Sequence, residues 1–297
     1  MSVGERDPFT GHMTTGHEWN GITELNTPVP RVVILSLIIT AALGLVWTVL
    51  MPSWPFVTSY FPGVLGIDQR NVVANSVAEA QAERSPWMSS IEDQDFSAIL
   101  SNPELMRIVR ENGRTLFGDN CAACHGHDAK GQRGFPNIAQ SPMLWGDSPE
   151  AILQTITVGI NSTDPNTRVS QMLAFGRDGT LTPPQISQVT SYVQSLSATG
   201  SAAPLDKDQV EQGKAVFAAN CVACHGKDAK GLTDMGAPNL TDSYWIYGGE
   251  RQDMYGSIYH GRQGHMPNWG ARLSPAAIKI LTLYVLDMRK QAVGAGS

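Results

Sequence analysis

Asn120-Cys121-Ala122-Ala123-Cys124-His125-Gly126 returns a hundred residues later as Asn220-Cys221-Val222-Ala223-Cys224-His225-Gly226, and the two copies hold all 4 cysteines of the 297-residue chain. Two thiols with two residues between them match the two vinyl groups of a porphyrin, and the His that follows is placed to bind iron from one face. The motif predicts two covalent haem c groups, one through Cys121 and Cys124 and one through Cys221 and Cys224, with His125 and His225 as iron ligands. A zinc half-site has similar spacing, but two near-identical copies inside a longer repeat argue against it. No cysteine remains for a disulfide framework.

The repeat extends well beyond the motif. Gly113, Phe117 and Asn120 pair with Gly213, Phe217 and Asn220, and Asp-Ala-Lys-Gly stands at both 128–131 and 228–231. The second copy is then two residues longer before Pro-Asn (Pro136-Asn137 against Pro238-Asn239), after which Gly146, Ile156 and Gly159 match Gly248, Ile258 and Gly261. Each copy closes on the same signal, Leu181-Thr182-Pro183 and Leu273-Ser274-Pro275, a capping hydroxyl followed by Pro in a first helical turn. Apolar residues at helical spacing follow, Ile186, Val189, Val193 and Leu196 against Ile278, Leu281, Val285 and Met288. A helix before the motif and a helix at the end, packed on one another over the haem, is the arrangement of class I cytochromes c, which both copies resemble. The expected fold is all-α, with cytochrome c domains at residues 104–198 and 208–297 joined by a Ser/Ala/Gly-rich linker at 199–207.

Among 11 methionines the repeat selects the sixth iron ligands. Met143 aligns with Trp245 and Met254 with Ile152, which makes both packing residues; Met235 falls in the longer segment and Met288 on an apolar stripe. Met172 and Met266 alone share a context, Met-x-x-aromatic-Gly, and are the expected axial ligands. His265, beside Met266, is the competing ligand there. His127, His260, His12 and His17 are read as surface or hydrogen-bonding residues. Methionine sulfur favours ferrous iron relative to a second imidazole, raises the potential, and leaves no open position for oxygen or peroxide.

From Val32 to Met51 twenty residues carry no charge. At 1.5 Å per residue they reach about 30 Å, the thickness of a bilayer's hydrocarbon. Trp47, Trp54 and Phe56 occupy the place of an interfacial aromatic belt, and Pro52 and Pro55 end the helix. A cleaved signal peptide would be shorter, with a basic start and a small-residue cleavage site. A transmembrane helix at 32–51 therefore divides an N-terminal cytoplasmic segment, 1–31, from a spacer at 52–103 that leads to the haem domains. Covalent haem attachment occurs outside a bacterial cytoplasmic (inner) membrane, which makes the haem domains periplasmic. A net charge of −6 with scattered Lys and Arg excludes a nucleic-acid partner.

One anchor followed by two such domains resembles the diheme subunit III (CcoP, also called FixP) of cbb3-type cytochrome c oxidases. The motifs that carry this are Thr15-Gly16-His17-Glu18-Trp19-Asn20-Gly21-Ile22 and Pro28-Val29-Pro30-Arg31 before the span, with Val169-Ser170-Gln171-Met172 and Met235-Gly236-Ala237-Pro238-Asn239-Leu240 after it. The resemblance implies an electron-transfer subunit with no catalytic site of its own. It would relay electrons from a cytochrome c donor toward the haem–copper catalytic subunit that reduces oxygen, directly or through a monohaem cytochrome subunit. Leu173 departs from the family pattern, which has Pro after the axial Met, as Pro267 does. The haem motifs alone also fit a free membrane-anchored diheme carrier or the cytochrome subunit of a periplasmic dehydrogenase. A diheme peroxidase needs an open iron, against which the two Met loops argue.

Overall fold

Asn20 and Gly21, both at positive φ (49° and 86°), close a two-residue turn between strands β1 (Thr14–Trp19) and β2 (Ile22–Leu25), with Trp19 paired to Ile22. Such a turn matches the natural twist of a hairpin, so the local Asn-Gly pair sets the register. The chain is mostly helical as expected, with one added hairpin in the segment before the apolar helix. The computed structural model describes residues 4–197 and 204–294, so residues 199–203 of the expected linker lie outside the described residues. Two packing units, Met1–Glu83 and Arg84–Ser297, are described separately.

In the first unit, α1 (Arg31–Leu50) buries no residue within the chain. It is the one helix among the described residues that is long and apolar enough to cross a membrane, and it fits a single-pass anchor. The spacer that follows is largely helical, α2 spanning Gln69–Asp93 and passing into the second unit.

The second unit begins with the end of α2, α3 (Phe96–Ser101) and α4 (Pro103–Asn120), whose start is capped by Asn102 Oδ1 accepting from the amides of Glu104 and Leu105. Then come α5 (Ala122–His125), α6 (Pro149–Val158), α7 (Pro183–Leu196), α8 (Lys207–Asn220), α9 (Val222–His225), α10 (Arg251–His260) and α11 (Pro275–Gly294). The predicted caps are present. Thr182 N donates to Gln185 Oε1 at 2.9 Å, and Ser274 Oγ accepts from Ala277 N at 3.2 Å.

The closing helices do not pair within their own repeats. Helix α11 packs on α4 and α6, and α7 packs on α8 and α10. One core joins Phe117, Ala122, Ile152 and Ile156 to Ile278, Leu281 and Val285 of α11. The other joins Phe217, Ala229, Met254 and Ile258 to Ile186, Val189 and Val193 of α7. Each crossing depends on a glycine. A Cβ on Gly113 would lie 2.7 Å from the Tyr284 ring, and one on Gly213 would lie 2.9 Å from Tyr192 Cβ and collide with the Gln188 carbonyl. The same aromatic pair then forms twice, Phe117 with Tyr284 at 5.9 Å and Phe217 with Tyr192 at 5.3 Å. The helix-over-helix arrangement expected of each domain is present, but the closing helices are exchanged. The sequence segments 104–198 and 208–297 are repeats, while the packed bodies are 103–168 with 264–294, and 170–262. The closing helices carry equivalent apolar stripes, so the periodicity of the repeat does not choose between the two pairings.

Helix α11 also has a second apolar face. Ile280 and Leu283 join Ile91, Ile99, Leu105, Met106 and Val109 in a third cluster supplied by α2, α3 and α4. The pair Arg110–Asp287, at 2.9 and 3.1 Å, and Lys279 Nζ, which donates to the Glu92 carbonyl at 2.9 Å, border this contact.

Candidate haem sites

Cys121 ends α4, its amide donating to Phe117 O at 2.8 Å, and the chain rewinds at once so that His125 N donates to Cys121 O at 2.9 Å. The second copy repeats these bonds at 2.8 and 2.9 Å. One helical turn thus presents both thiols and the imidazole on one side of a short corner. Burial, and then the neighbouring thiol, pushes the Cys121 and Cys221 thiols up to about 11, so each is un-ionised near neutrality unless it is bonded as a thioether.

The His rings are oriented as iron binding requires. His125 Nδ1 lies 3.2 Å from Pro136 O and His225 Nδ1 lies 3.1 Å from Pro238 O. A carbonyl only accepts, so Nδ1 carries the proton and Nε2 keeps a free lone pair. Burial lowers the affinity of both rings for a second proton, and the carbonyl bond opposes this more weakly. Each carbonyl is brought in by a tight turn, with Gly131 N donating to His125 O at 2.7 Å and Gly231 N to His225 O at 2.9 Å.

The methionine loops follow the exchanged helices. Met266 packs in the core of Cys121, and Met172 packs in the core of Cys221. Each methionine thus packs on the core that holds the first cysteine of the other repeat. Backbone pairing holds the exchange: Ile160 and Met266 bond reciprocally at 2.9 Å, and Met172 with Arg262 at 2.8 and 3.0 Å. Asn161 Nδ2 ties the loops by donating to Ser170 O at 2.8 Å and Gly264 O at 2.7 Å. Leu173 accordingly belongs to the Cys221 pocket and Pro267 to the Cys121 pocket.

The other histidines lie at the surface. His265 is exposed, with Nδ1 2.9 Å from Asn161 O. His127, His260, His12 and His17 are exposed, and His17 lies 3.4 Å from Glu24. Met143 and Met288 pack at the edge of the Cys121 core, Met254 is buried in the Cys221 core, and Met235 is exposed.

Three buried donors have no partner among the described residues: Trp145 Nε1, Trp245 Nε1 and Arg168 Nε. An unpaired buried N–H costs about 1–3 kcal/mol, so acceptors are required there. The propionates of two haems supply carboxylate oxygens of that kind, and the donor set fits the group. Trp245 lines the Cys221 core. Arg168 stacks on Trp145 at 4.9 Å and donates to Ala151 O and Gln154 Oε1 of α6, a helix of the Cys121 core. Sequence reasoning gave no role to Trp145 or Arg168. The repeated pairing of Arg168 on Trp145 and Arg262 on Tyr247, at 4.2 Å, becomes visible only in three dimensions.

Three family models match the chain. The N-terminal domain of FixP of cbb3 cytochrome oxidase covers residues 11–58, cytochrome c covers 110–197, and cbb3-type cytochrome c oxidase subunit III covers 208–285. Among similar proteins, a cbb3-type cytochrome c oxidase subunit FixP of Bradyrhizobium sp. (strain ORS 278) is 43% identical over 281 residues, 95% of this chain and 96% of that protein. The FixP subunit of Azorhizobium caulinodans is 43% identical over 94% of both chains, and a CcoP subunit of Azospirillum sp. (strain B510) is 40% identical over 97% of this chain and 99% of its own length. With both attachment corners, both His-orienting carbonyls and likeness along nearly its whole length, the chain belongs to the FixP/CcoP family of cbb3-type cytochrome c oxidase subunits.

Proposed function

We propose that the chain is the two-haem electron-transfer subunit of a cbb3-type oxidase, with His125 and Met266 holding one iron and His225 and Met172 the other. Haem iron, when bound, supplies a reversible one-electron change. The residues supply the rest. Pro136 O and Pro238 O fix the imidazole tautomers, the crossed loops bring one sulfur into each core, and Trp145, Trp245 and Arg168 are donors for the propionates. Two capped irons leave no place for oxygen, so reduction of oxygen belongs to the haem–copper subunit. This chain takes electrons from a cytochrome c donor and delivers them to that subunit or to a monohaem neighbour. Helix α1 anchors it in the bacterial inner membrane, with the N-terminus cytoplasmic and the haems periplasmic.

The observation that carries this reading is the duplicated corner in which a half-buried imidazole donates to a proline carbonyl, while the methionine loop of the other repeat packs on the core that holds the corner's first cysteine. Gentle purification from membranes tests it: haem b and copper should accompany the chain, and its reduced c haems should not bind carbon monoxide. Isolation without haem b and copper, or carbon monoxide binding by the c haems, counts against it.

A further inference from the structure

The charge-free run does not stop where α1 stops. No Asp, Glu, Lys, Arg or His occurs from Val32 to Ile67, sixteen residues past Met51. Within that extension the chain folds back on the helix. Ser53 N donates to Phe61 O at 3.1 Å, Phe61 N to Trp54 O at 2.8 Å and Phe56 N to Ser59 O at 2.6 Å, making a small hairpin with Pro55 paired to Tyr60.

The end of α1 shows what this fold-back achieves. The last four carbonyls of a helix have no partner within it and ordinarily turn to water. Here each is taken: Trp47 O by Met51 N at 2.9 Å, Thr48 O by Ser53 Oγ at 2.7 Å, Val49 O by Val64 N at 2.9 Å and Leu50 O by Leu65 N at 3.1 Å. Pro52, Pro55 and Pro62 have no N–H to satisfy. Gly63 makes the approach possible, since a Cβ there would collide with Leu50 O and lie 2.6 Å from Met51 C. Meanwhile Trp54, Phe56 and Val57 stand 63%, 61% and 103% exposed. A helix end whose carbonyls are all taken, continued by a charge-free turn with its apolar side chains outward, suits the membrane interface, where the remaining loop amides can reach headgroups and water.

We propose that residues 52–67 form a lipid-inserted strap, seated at the headgroup–acyl boundary where α1 emerges, with Phe56 and Val57 as its tip. This rests on α1 spanning the membrane. The occupant is lipid because the strap is covalently continuous with the span, hydrogen-bonded to its last turn, and carries the Trp and Tyr that favour an interface. It would set the depth of the anchor and the point from which the haem domains are suspended.

With the four native cysteines held as thioethers in the haem-loaded chain, Val57→Cys introduces one reactive thiol for a nitroxide. The labelled full chain, in vesicles of phosphatidylcholine and phosphatidylglycerol, is compared with Thr40→Cys in the span and Asn75→Cys beyond it. The collision ratio of oxygen to a water-soluble nickel chelate at residue 57 should be severalfold above that at 75 and approach that at 40. Water access at 57 with a dry residue 40 overturns the strap and spares the anchor, whereas water access at both removes the anchor too. Shielding from both reagents at 57 indicates contact between copies and also overturns it. Adding Gly63→Val should release the hairpin and raise nickel access at 57 severalfold; unchanged access would contradict the geometry.

Discussion

The two haem pockets use the same parts but differ in what stands behind them. In the His125 pocket, α11 packs its Ile278–Leu281–Val285 face on the haem-side core and its Ile280–Leu283 face on α2, α3 and α4. In the His225 pocket, α7 contributes Ile186, Val189 and Val193 to the core, and its neighbouring face carries Thr190 and Ser191. Among the described residues the apolar buttress has no counterpart there. Proline follows the methionine in the first pocket and exposed Leu173 in the second. The comparison teaches that duplicated sequence has yielded unequal supports, the first pocket being the better braced.

The largest effect should come from the shared aromatic. Phe117 and Phe217 are each 2% exposed, and either Phe→Ala change should cost about 3–5 kcal/mol. Denaturant unfolding followed by haem absorbance should show each loss confined to its own pocket; equal loss at both haems would mean that the pockets unfold as one body. Leu283→Ala sharpens the contrast. It should cost about 2–5 kcal/mol in the first pocket and nothing in the second, which has no equivalent cluster.

Arg110→Met leaves the buried Asp287 carboxylate with Gln291 alone and should lower first-pocket stability by about 1–3 kcal/mol in the same assay. The smallest effect lies at matched helix starts. Ser148 caps α6 through Ala151 N at 3.1 Å, whereas its counterpart Glu250 makes no side-chain cap on α10. Ser148→Ala should therefore cost ~1 kcal/mol and Glu250→Ser gain about 0.5–1 kcal/mol, read as opposite shifts of the unfolding midpoint.

Much of this was legible in the residues. The CxxCH corners, the closing helices with their caps, and the span at 32–51 follow from local chemistry over short stretches of sequence. What was not legible is non-local. A helix stripe states that Ile186, Val189 and Val193 seek an apolar partner, but α4 and α8 offer the same Gly-x-x-x-Phe surface, so the exchange is decided by loop paths that no motif encodes. The donors at Trp145, Trp245 and Arg168 were missed for a related reason: an unpaired N–H is a property of a folded interior. The Asn20-Gly21 hairpin, by contrast, carried a local turn signal that the helical reading of the chain passed over.

The crossed pockets can be tested directly in chains reduced to one haem. With Cys221 and Cys224 replaced by Ser, the remaining haem is held by Cys121 and Cys124. Met266→Leu in that background should abolish the sulfur-to-iron charge-transfer band and lower the potential by ~0.1 V or more, while Met172→Leu should leave both unchanged. Loss of the band on replacing Met172, with Met266→Leu silent, would contradict the account.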